Sequence, residues 1–364
     1  MALQPLTIGI CTGGGDCPGL NAVIRAAVNC AIMKYQWNVL GIEDGFDGLL
    51  WPQEKLRVLS LADVIGILPR GGTILGTTNR GDPFSYKFVE NGVQMVRDVS
   101  DDLIRNAKEL GLDALIVIGG DGTLKIALEL YRKGLNVVGV PKTIDNDISS
   151  TDVTFGFDTA LHTATDAIDK IHTTAESHHR IMLVEVMGRD VGWIALEAGI
   201  AGAAQVILIP EISFDIHKIC EVVRKRDEEG KRFTIIIVAE GIKIPDQLRA
   251  KFTEERRKLP RSGVAATVIG EAVASLSGRE VRVTVLGHIQ RGGSPSPLDR
   301  ILSTRFGAAA IELIATRNFG RMVCLRGGAI RSVGIADAVG TVKAVDPQGE
   351  LVRMARSIGI SFGD

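Results

Sequence analysis

Along most of the chain, short uninterrupted apolar runs alternate with longer stretches whose apolar positions recur at helical spacing. The runs are Leu6–Cys11, Ala114–Ile118, Asn136–Val140, Ile181–Val186, Gln205–Ile209 and Phe233–Val238. They are rich in valine and isoleucine and lack the alternation of a half-wet sheet, so they predict strands buried on both faces of parallel sheets. Glu280–Val285 alternates and predicts a further strand. Leu20–Tyr35, Leu124–Lys133 and Pro297–Ala315 predict helices, while Glu221–Arg232 and Phe252–Arg261 are dense enough in charge to be solvated helical faces. Strand and helix in turn predict an α/β chain whose sheets are covered by helices.

In open α/β sheets ligands lie beyond the carboxyl ends of the strands, so the loops after these runs carry the candidate chemistry. Asn136–Val140 leads into Pro141-Lys142-Thr143-Ile144-Asp145-Asn146-Asp147, where the proline is expected to stop the ladder. Two nearby carboxylates with a lysine and a hydroxyl suit a general base, a Mg²⁺ site or a phosphate-orienting loop. A polar loop capping a helix is the plainer alternative. Leu6–Cys11 runs into Thr12-Gly13-Gly14-Gly15-Asp16-Cys17-Pro18-Gly19 and then a helix, an order that aims backbone N–H groups at phosphate. It matches neither GxGxxG nor GxxxxGK[ST], and a tight strand–helix turn also accounts for it. Leu68–Asp82 is a second glycine-rich loop, whose Arg70 and Arg80 suit a bidentate grip on phosphate or an ordinary surface loop. Ala114–Ile118 ends in Gly119-Gly120-Asp121-Gly122-Thr123, a carboxylate between glycines that suits Mg²⁺ beside phosphates.

Composition narrows the classes. A chain of 364 residues, 45% hydrophobic and 23% charged, suggests two globular domains. A net charge of −1 gives no basic field for nucleic acid and no polybasic patch for a membrane, so phosphate binding must be local. The five cysteines (Cys11, Cys17, Cys30, Cys220, Cys324) show no CxxC spacing and read as free thiols in a reducing compartment. Cys17 reads as incidental to its glycine loop rather than nucleophilic. No secretory signal opens the chain and no uncharged apolar run reaches the ~18 residues of a membrane span, so the expected location is cytoplasmic.

Seven segments now fall into one ordered set: GGGDCPGLNAVIR, GGDGT, PKTIDND, TFGFDTA (Thr154–Ala160), EVMGRDVGW (Glu185–Trp193), VAEG (Val238–Gly241) and TVLGHIQRGGSPSPLDR (Thr284–Arg300). Together they closely resemble the 6-phosphofructokinase family over about residues 6–315. The resemblance implies phosphorylation of fructose 6-phosphate at its 1-hydroxyl, with Mg²⁺ and ATP. Asp145 matches the catalytic base, with Thr143 and Arg189 beside it. Asp121 and Asp147 match the metal carboxylates. Gly15, Arg80, Gly120, Asp121, Gly122 and Thr123, with Lys142, match the phosphoryl-donor site. Thr143, Met187, Gly188, Arg189, Glu240, His288 and Arg291 match the sugar-phosphate site. Arg180 and Arg282 match arginines that reach a neighbouring subunit's sugar site, which implies a homodimer or homotetramer with shared active sites. The implied fold is two doubly wound, Rossmann-like domains with parallel sheets facing a central cleft. A donor domain takes 1–156 plus about 290–343; a sugar-phosphate domain takes about 157–289 plus 344–364.

Donor choice hangs on two positions. Family members that use ATP usually carry glycine where this chain has Gly122; pyrophosphate users often carry aspartate there and lysine at the position of Lys142. A glycine leaves room for the nucleotide where an aspartate would crowd and repel it, so ATP leads and pyrophosphate is the alternative. The combination looks like the long, mixed-substrate branch. For regulation, Arg25 and Lys231 fit a basic effector pocket, but Asn29, His172 and Glu229 fall where arginines are expected, which implies weak control by ADP or phosphoenolpyruvate. A non-catalytic sensor on the same fold would not need Asp145. An NAD- or lipid-kinase-like reading rests on GGDG[ST] alone and leaves PKTIDND and GHIQRGG unexplained. A dinucleotide oxidoreductase lacks its fingerprint.

Overall fold

The computed structural model describes residues 5–78, 81–90, 92–249 and 263–364. Arg80 and the helix expected over 252–261 lie outside these residues. The described strands are β1 (Thr7–Thr12), β2 (Asn38–Ile42), β3 (Leu56–Val58), β4 (Tyr86–Glu90), β5 (Val93–Arg97), β6 (Ala114–Gly119), β7 (Val137–Pro141), β8 (Ile181–Val186), β9 (Val206–Leu208), β10 (Thr234–Ala239), β11 (Val281–Val285), β12 (Arg321–Arg326) and β13 (Ala329–Gly334). Two compact units divide the chain: Met1–Asp158 with Arg291–Val342, and Thr159–Gln290 with Lys343–Asp364.

In the first unit seven strands run in the order β13-β12-β7-β6-β1-β2-β3. Pairing is parallel from β12 through β2, and only the outer pairs β12/β13 and β2/β3 are antiparallel. β1 and β6 are adjacent although far apart in sequence, and successive strands step away from them in opposite directions. Their carboxyl ends therefore form a topological switch point. β1, β6 and β7 are almost wholly buried, as their unbroken apolar runs require.

The second unit has a four-stranded parallel sheet, β11-β8-β10-β9. Its core gathers Leu183, Leu208, Ile236 and Val238 from the sheet and Ile219, Ala266 and Ile269 from the helices. After its return from the first unit, the chain pairs with β9 through Ser361, whose N–H and C=O meet Gln205 and Ile207. Among the described residues no helix is long and apolar enough to cross a membrane.

Two local expectations are corrected by the structure. Pro141 does not stop the ladder before itself; it is paired as the last residue of β7, opposite Gly119. β12 pairs with β7 only at Val138 and Gly139, so the N–H that proline lacks faces no partner strand. The helix expected to begin at Leu124 begins at Asp121, so that carboxylate sits in a first helical turn rather than a loop. An acid there is favoured by the helix dipole, which pulls the start forward.

Candidate active site

At the switch point of the first unit the glycine loop after β1 and the GGDGT turn after β6 interlock. Gly13 N–H donates to Ile118 O at 2.9 Å, and Thr123 lies between the two loops. A Cβ on Gly13 would stand 2.6 Å from Thr123 Cγ2, and one on Gly119 would stand 2.4 Å from the same methyl. Both positions need glycine because the threonine already fills the gap. Next door, β7 delivers Lys142-Thr143-Ile144-Asp145-Asn146-Asp147. Thr143 Oγ1 accepts from Asp145 N–H (3.0 Å), Asn146 Oδ1 accepts from Thr154 N–H (3.2 Å) and Thr143 O accepts from the Thr154 hydroxyl (2.7 Å). Asn146 adopts φ 53°, so the backbone reverses between the two aspartates. Thr143 and Asp145 are buried and Asp147 is half-buried.

Asp121 Oδ1 accepts from Gly340 N–H (3.0 Å), and Oδ2 meets Lys125 Nζ at 2.6 Å. Among the described residues no group of three or more His, Cys, Asp or Glu could hold a metal ion. A Mg²⁺ carried in on a nucleotide needs only one or two carboxylates, with phosphates and water for the rest. Asp121 and Asp147 fit that requirement. No atom lies within 4 Å of where a Cβ on Gly122 would stand, so the space beside it is open. Lys142 is buried, and its ammonium donates to Gly15 O. Arg291 also belongs to this unit: its Nη1 donates to Asp16 O at 3.1 Å.

The second unit gathers its expected residues at the carboxyl ends of β8, β10 and β11. Met187, Gly188 and Arg189 follow β8, Glu240 follows β10, and His288 lies two residues into the loop after Leu286. Glu240 Oε1 accepts from Arg189 N–H (3.0 Å), and Glu240 N–H donates to Val186 O (2.9 Å). Gly188 (φ 142°) and Arg189 (φ 55°) both have positive φ, a conformation that costs the arginine more than the glycine. A Cβ on Gly241 would stand 1.9 Å from Arg189 O, so the two loops touch backbone to backbone. The Arg189 guanidinium is exposed beside Asp190 (3.6 Å), and His288 is exposed.

Arg180 and Arg282 do not join this cluster. Arg180 directly precedes β8, whose six residues, roughly 20 Å of strand, separate it from Met187; Arg282 is the second residue of β11, level with Met182 and three strand residues short of that strand's carboxyl end. Both meet Glu280: Arg180 Nε at 2.8 Å on Oε2, and Arg282 Nη2 on Oε1.

Two supporting residues carry little signal in the sequence. Asn21, fully buried, donates to Arg70 O (3.0 Å) and Gly71 O (3.2 Å) and accepts from Ile74 N–H (2.8 Å), so it ties the second glycine loop to the first helix. Its one trace is an amide inside the apolar face of Leu20–Tyr35. Asp299, also fully buried, accepts from Gly156 N–H at 2.9 Å and so fixes the turn of TFGFDTA.

Known proteins resemble this chain in sequence and fold. The phosphofructokinase model matches residues 7–314. The chain is 54% identical to the ATP-dependent 6-phosphofructokinase 2 of Clostridium perfringens, over 100% of both chains. It is 53% identical to the ATP-dependent 6-phosphofructokinase of Chloroflexus aurantiacus, over 100% of this chain and 99% of that one. Pichia pastoris phosphofructokinase in the T-state superposes with a TM-score of 0.78 at 32% identity; the match covers 93% of this chain but 36% of that much longer one. A pyrophosphate-dependent phosphofructokinase from Marinobacter aquaeolei shares the fold at 20% identity and TM-score 0.79, over 98% of this chain and 92% of that one. With a family match over most of its length and full-length relatives above half identity, the chain belongs to the phosphofructokinase family.

Proposed function

We propose that the protein transfers the γ-phosphoryl group of ATP to the 1-hydroxyl of fructose 6-phosphate, giving fructose 1,6-bisphosphate in glycolysis. The observation that carries this reading is the shared switch point: two interlocked phosphate-type loops after β1 and β6, with a buried carboxylate, Asp145, in the loop after the next strand, β7. Phosphoryl transfer needs positioned donors and charge more than covalent chemistry. Asp145 accepts the proton as the sugar hydroxyl attacks, and Thr143 sets its approach through the hydrogen bond to its N–H. Gly15, Gly120, Gly122 and Thr123 face the donor, with Arg80 assigned to it from the sequence. Asp121 and Asp147 would hold Mg²⁺, which when bound neutralises charge on the transferring phosphate. Lys125 leaves Asp121 at little cost, because a half-exposed ion pair is weak.

Met187, Gly188, Arg189, Glu240 and His288 bind the sugar phosphate. Glu240 suits sugar hydroxyls; Arg189 and His288 suit phosphate. The remote placement of Arg180 and Arg282 supports their service to a neighbouring copy, hence a homo-oligomer, and the enzyme works in the cytoplasm. ATP is favoured over pyrophosphate by the open space at Gly122 and by the relatives' names. Control by ADP or phosphoenolpyruvate is weak, since Lys231 is paired with Glu229 at 2.9 Å and His172 packs edge-on against Phe233.

Initial rates with fructose 6-phosphate and Mg²⁺, comparing ATP with pyrophosphate, test this directly. Turnover with ATP is expected, with saturation curves that stay hyperbolic when phosphoenolpyruvate is added. Turnover with pyrophosphate alone would reverse the donor assignment, and none with either would leave a sensor.

A further inference from the structure

Three consecutive carbonyls of the glycine loop are each taken by a side chain from elsewhere in the first unit. The Thr77 hydroxyl donates to Gly14 O (2.6 Å), the Lys142 ammonium to Gly15 O, and Arg291 Nη1 to Asp16 O (3.1 Å). The described chain contains no cis peptide bond, so each N–H points opposite to the carbonyl that precedes it. Each captured carbonyl therefore turns the N–H that follows it, of Gly15, Asp16 and Cys17 in turn, away from the side chain that holds it. Among the described residues none accepts from these N–H groups. A run of free N–H groups in a turn is an anion-binding concavity.

The lysine is an unusual choice for this work. At 4% relative exposure it offers almost no surface to a ligand. Burial lowers the pKa of its ammonium, opposed in part by Asp145 and Asp16. An unpaired charge in such a place is costly, so the carbonyl it meets must satisfy it. Arg291 also packs against the loop, since a Cβ on Gly15 would stand 2.8 Å from its Nη1. Beneath the loop lies Cys17, fully buried with its Sγ on Phe155 O (3.7 Å); burial raises its thiol pKa strongly. The thiol is shielded for as long as the loop stays in place.

We infer that Lys142 is a positioning residue for the donor loop: its ammonium acts on the Gly15 carbonyl rather than on phosphate, and with Thr77 and Arg291 it aims three backbone N–H groups at the donor. The inference rests on the donor assignment made above, but part of its test does not. In the ligand-free protein, the rate at which a thiol reagent modifies Cys17 reports loop order without any turnover. Lys142→Met keeps the length and removes the charge. It is expected to speed Cys17 labelling and to weaken ATP binding by about 10- to 100-fold, the worth of a hydrogen bond to a charged group. Fructose 6-phosphate affinity should be unchanged. Thr77→Val, which removes a neutral member of the clamp, should shift both readouts the same way by a smaller factor.

Weaker ATP binding with Cys17 labelling unchanged would mean that Lys142 touches the donor itself, and would overturn the inference. Loss of fructose 6-phosphate affinity in step with ATP would show general damage and overturn it too. If the unaltered protein binds no ATP, the proposed function fails while the labelling comparison still judges the clamp.

Discussion

The two strand-end clusters are built in opposite ways. In the first unit the working surface is main chain: glycines fit around Thr123, carbonyls are turned inward onto Thr77, Lys142 and Arg291, and the cations are spent on the protein itself. In the second unit the cluster presents side chains: Arg189 and His288 stand in solvent, and Arg189, at positive φ, gives its N–H to Glu240. A backbone cradle suits a ligand whose phosphates are recognised by geometry, at no rotamer cost. Exposed cations on a strained turn suit a ligand that brings charge and must be gripped anew each cycle. Asp145 belongs structurally to the first design, and the proposed function gives it a proton from the sugar.

That division can be broken at its hinge. Asp145→Asn should lower kcat by about a hundred- to ten-thousand-fold, the usual worth of a positioned base. Calorimetric affinities for ATP and fructose 6-phosphate should stay within a few-fold. A kcat close to that of the unaltered enzyme would remove Asp145 from the chemistry.

A smaller effect sharpens the comparison on the backbone side. Gly13→Ala places a methyl 2.6 Å from Thr123 Cγ2 and should cost about 1–3 kcal/mol of stability, read by denaturant unfolding. Thr123→Ser removes that Cγ2 and should restore part of the loss. Equal loss in the single and double variants would show that the contact is not the cause.

The smallest effect concerns the support of the second unit. Glu185, on β8 and fully buried, accepts from the N–H groups of Gly263 and Ala266 (3.0 Å for the latter) and so caps the helix Val264–Ser277. Burial raises its pKa, and those N–H groups offset the rise in part. With the folded pKa above the unfolded value, folding takes up a proton, and the stability this contributes is lost as pH rises. The loss begins near the ordinary glutamate value of 4.5 and continues upward through the raised one. The stability advantage of the unaltered protein over Glu185→Gln should therefore shrink as pH rises across that window, with a slope no steeper than about 1.4 kcal/mol for each pH step of one. A gap that does not change with pH would show an ordinary titration.

Much of the fold is legible in the sequence because its signals are local. β6, β8 and β10 read directly from unbroken apolar runs, and the loops that follow them carry their glycines and carboxylates within a few residues. What is illegible is tertiary. Pro141 sits inside a strand only because β12 leaves that position of β7 unpaired. The convergence of Arg180 and Arg282 on Glu280 joins residues a hundred positions apart. Side-chain bonds to distant backbone, such as those of Asn21 and Lys142, leave no periodic trace.

The glycine loop also carries a timetable. Its three anchors lie 63, 127 and 275 residues downstream of the carbonyls they hold. At roughly 5–20 residues per second, a ribosome that has finished the loop needs on the order of ten seconds to a minute to reach the last anchor. For that interval the strand and helix around the loop can exist, but the set of three anchors is incomplete. The nascent chain thus passes most of its synthesis with the fold begun and the glycine loop only partly anchored, and only the return of the chain to the first unit supplies the last anchor.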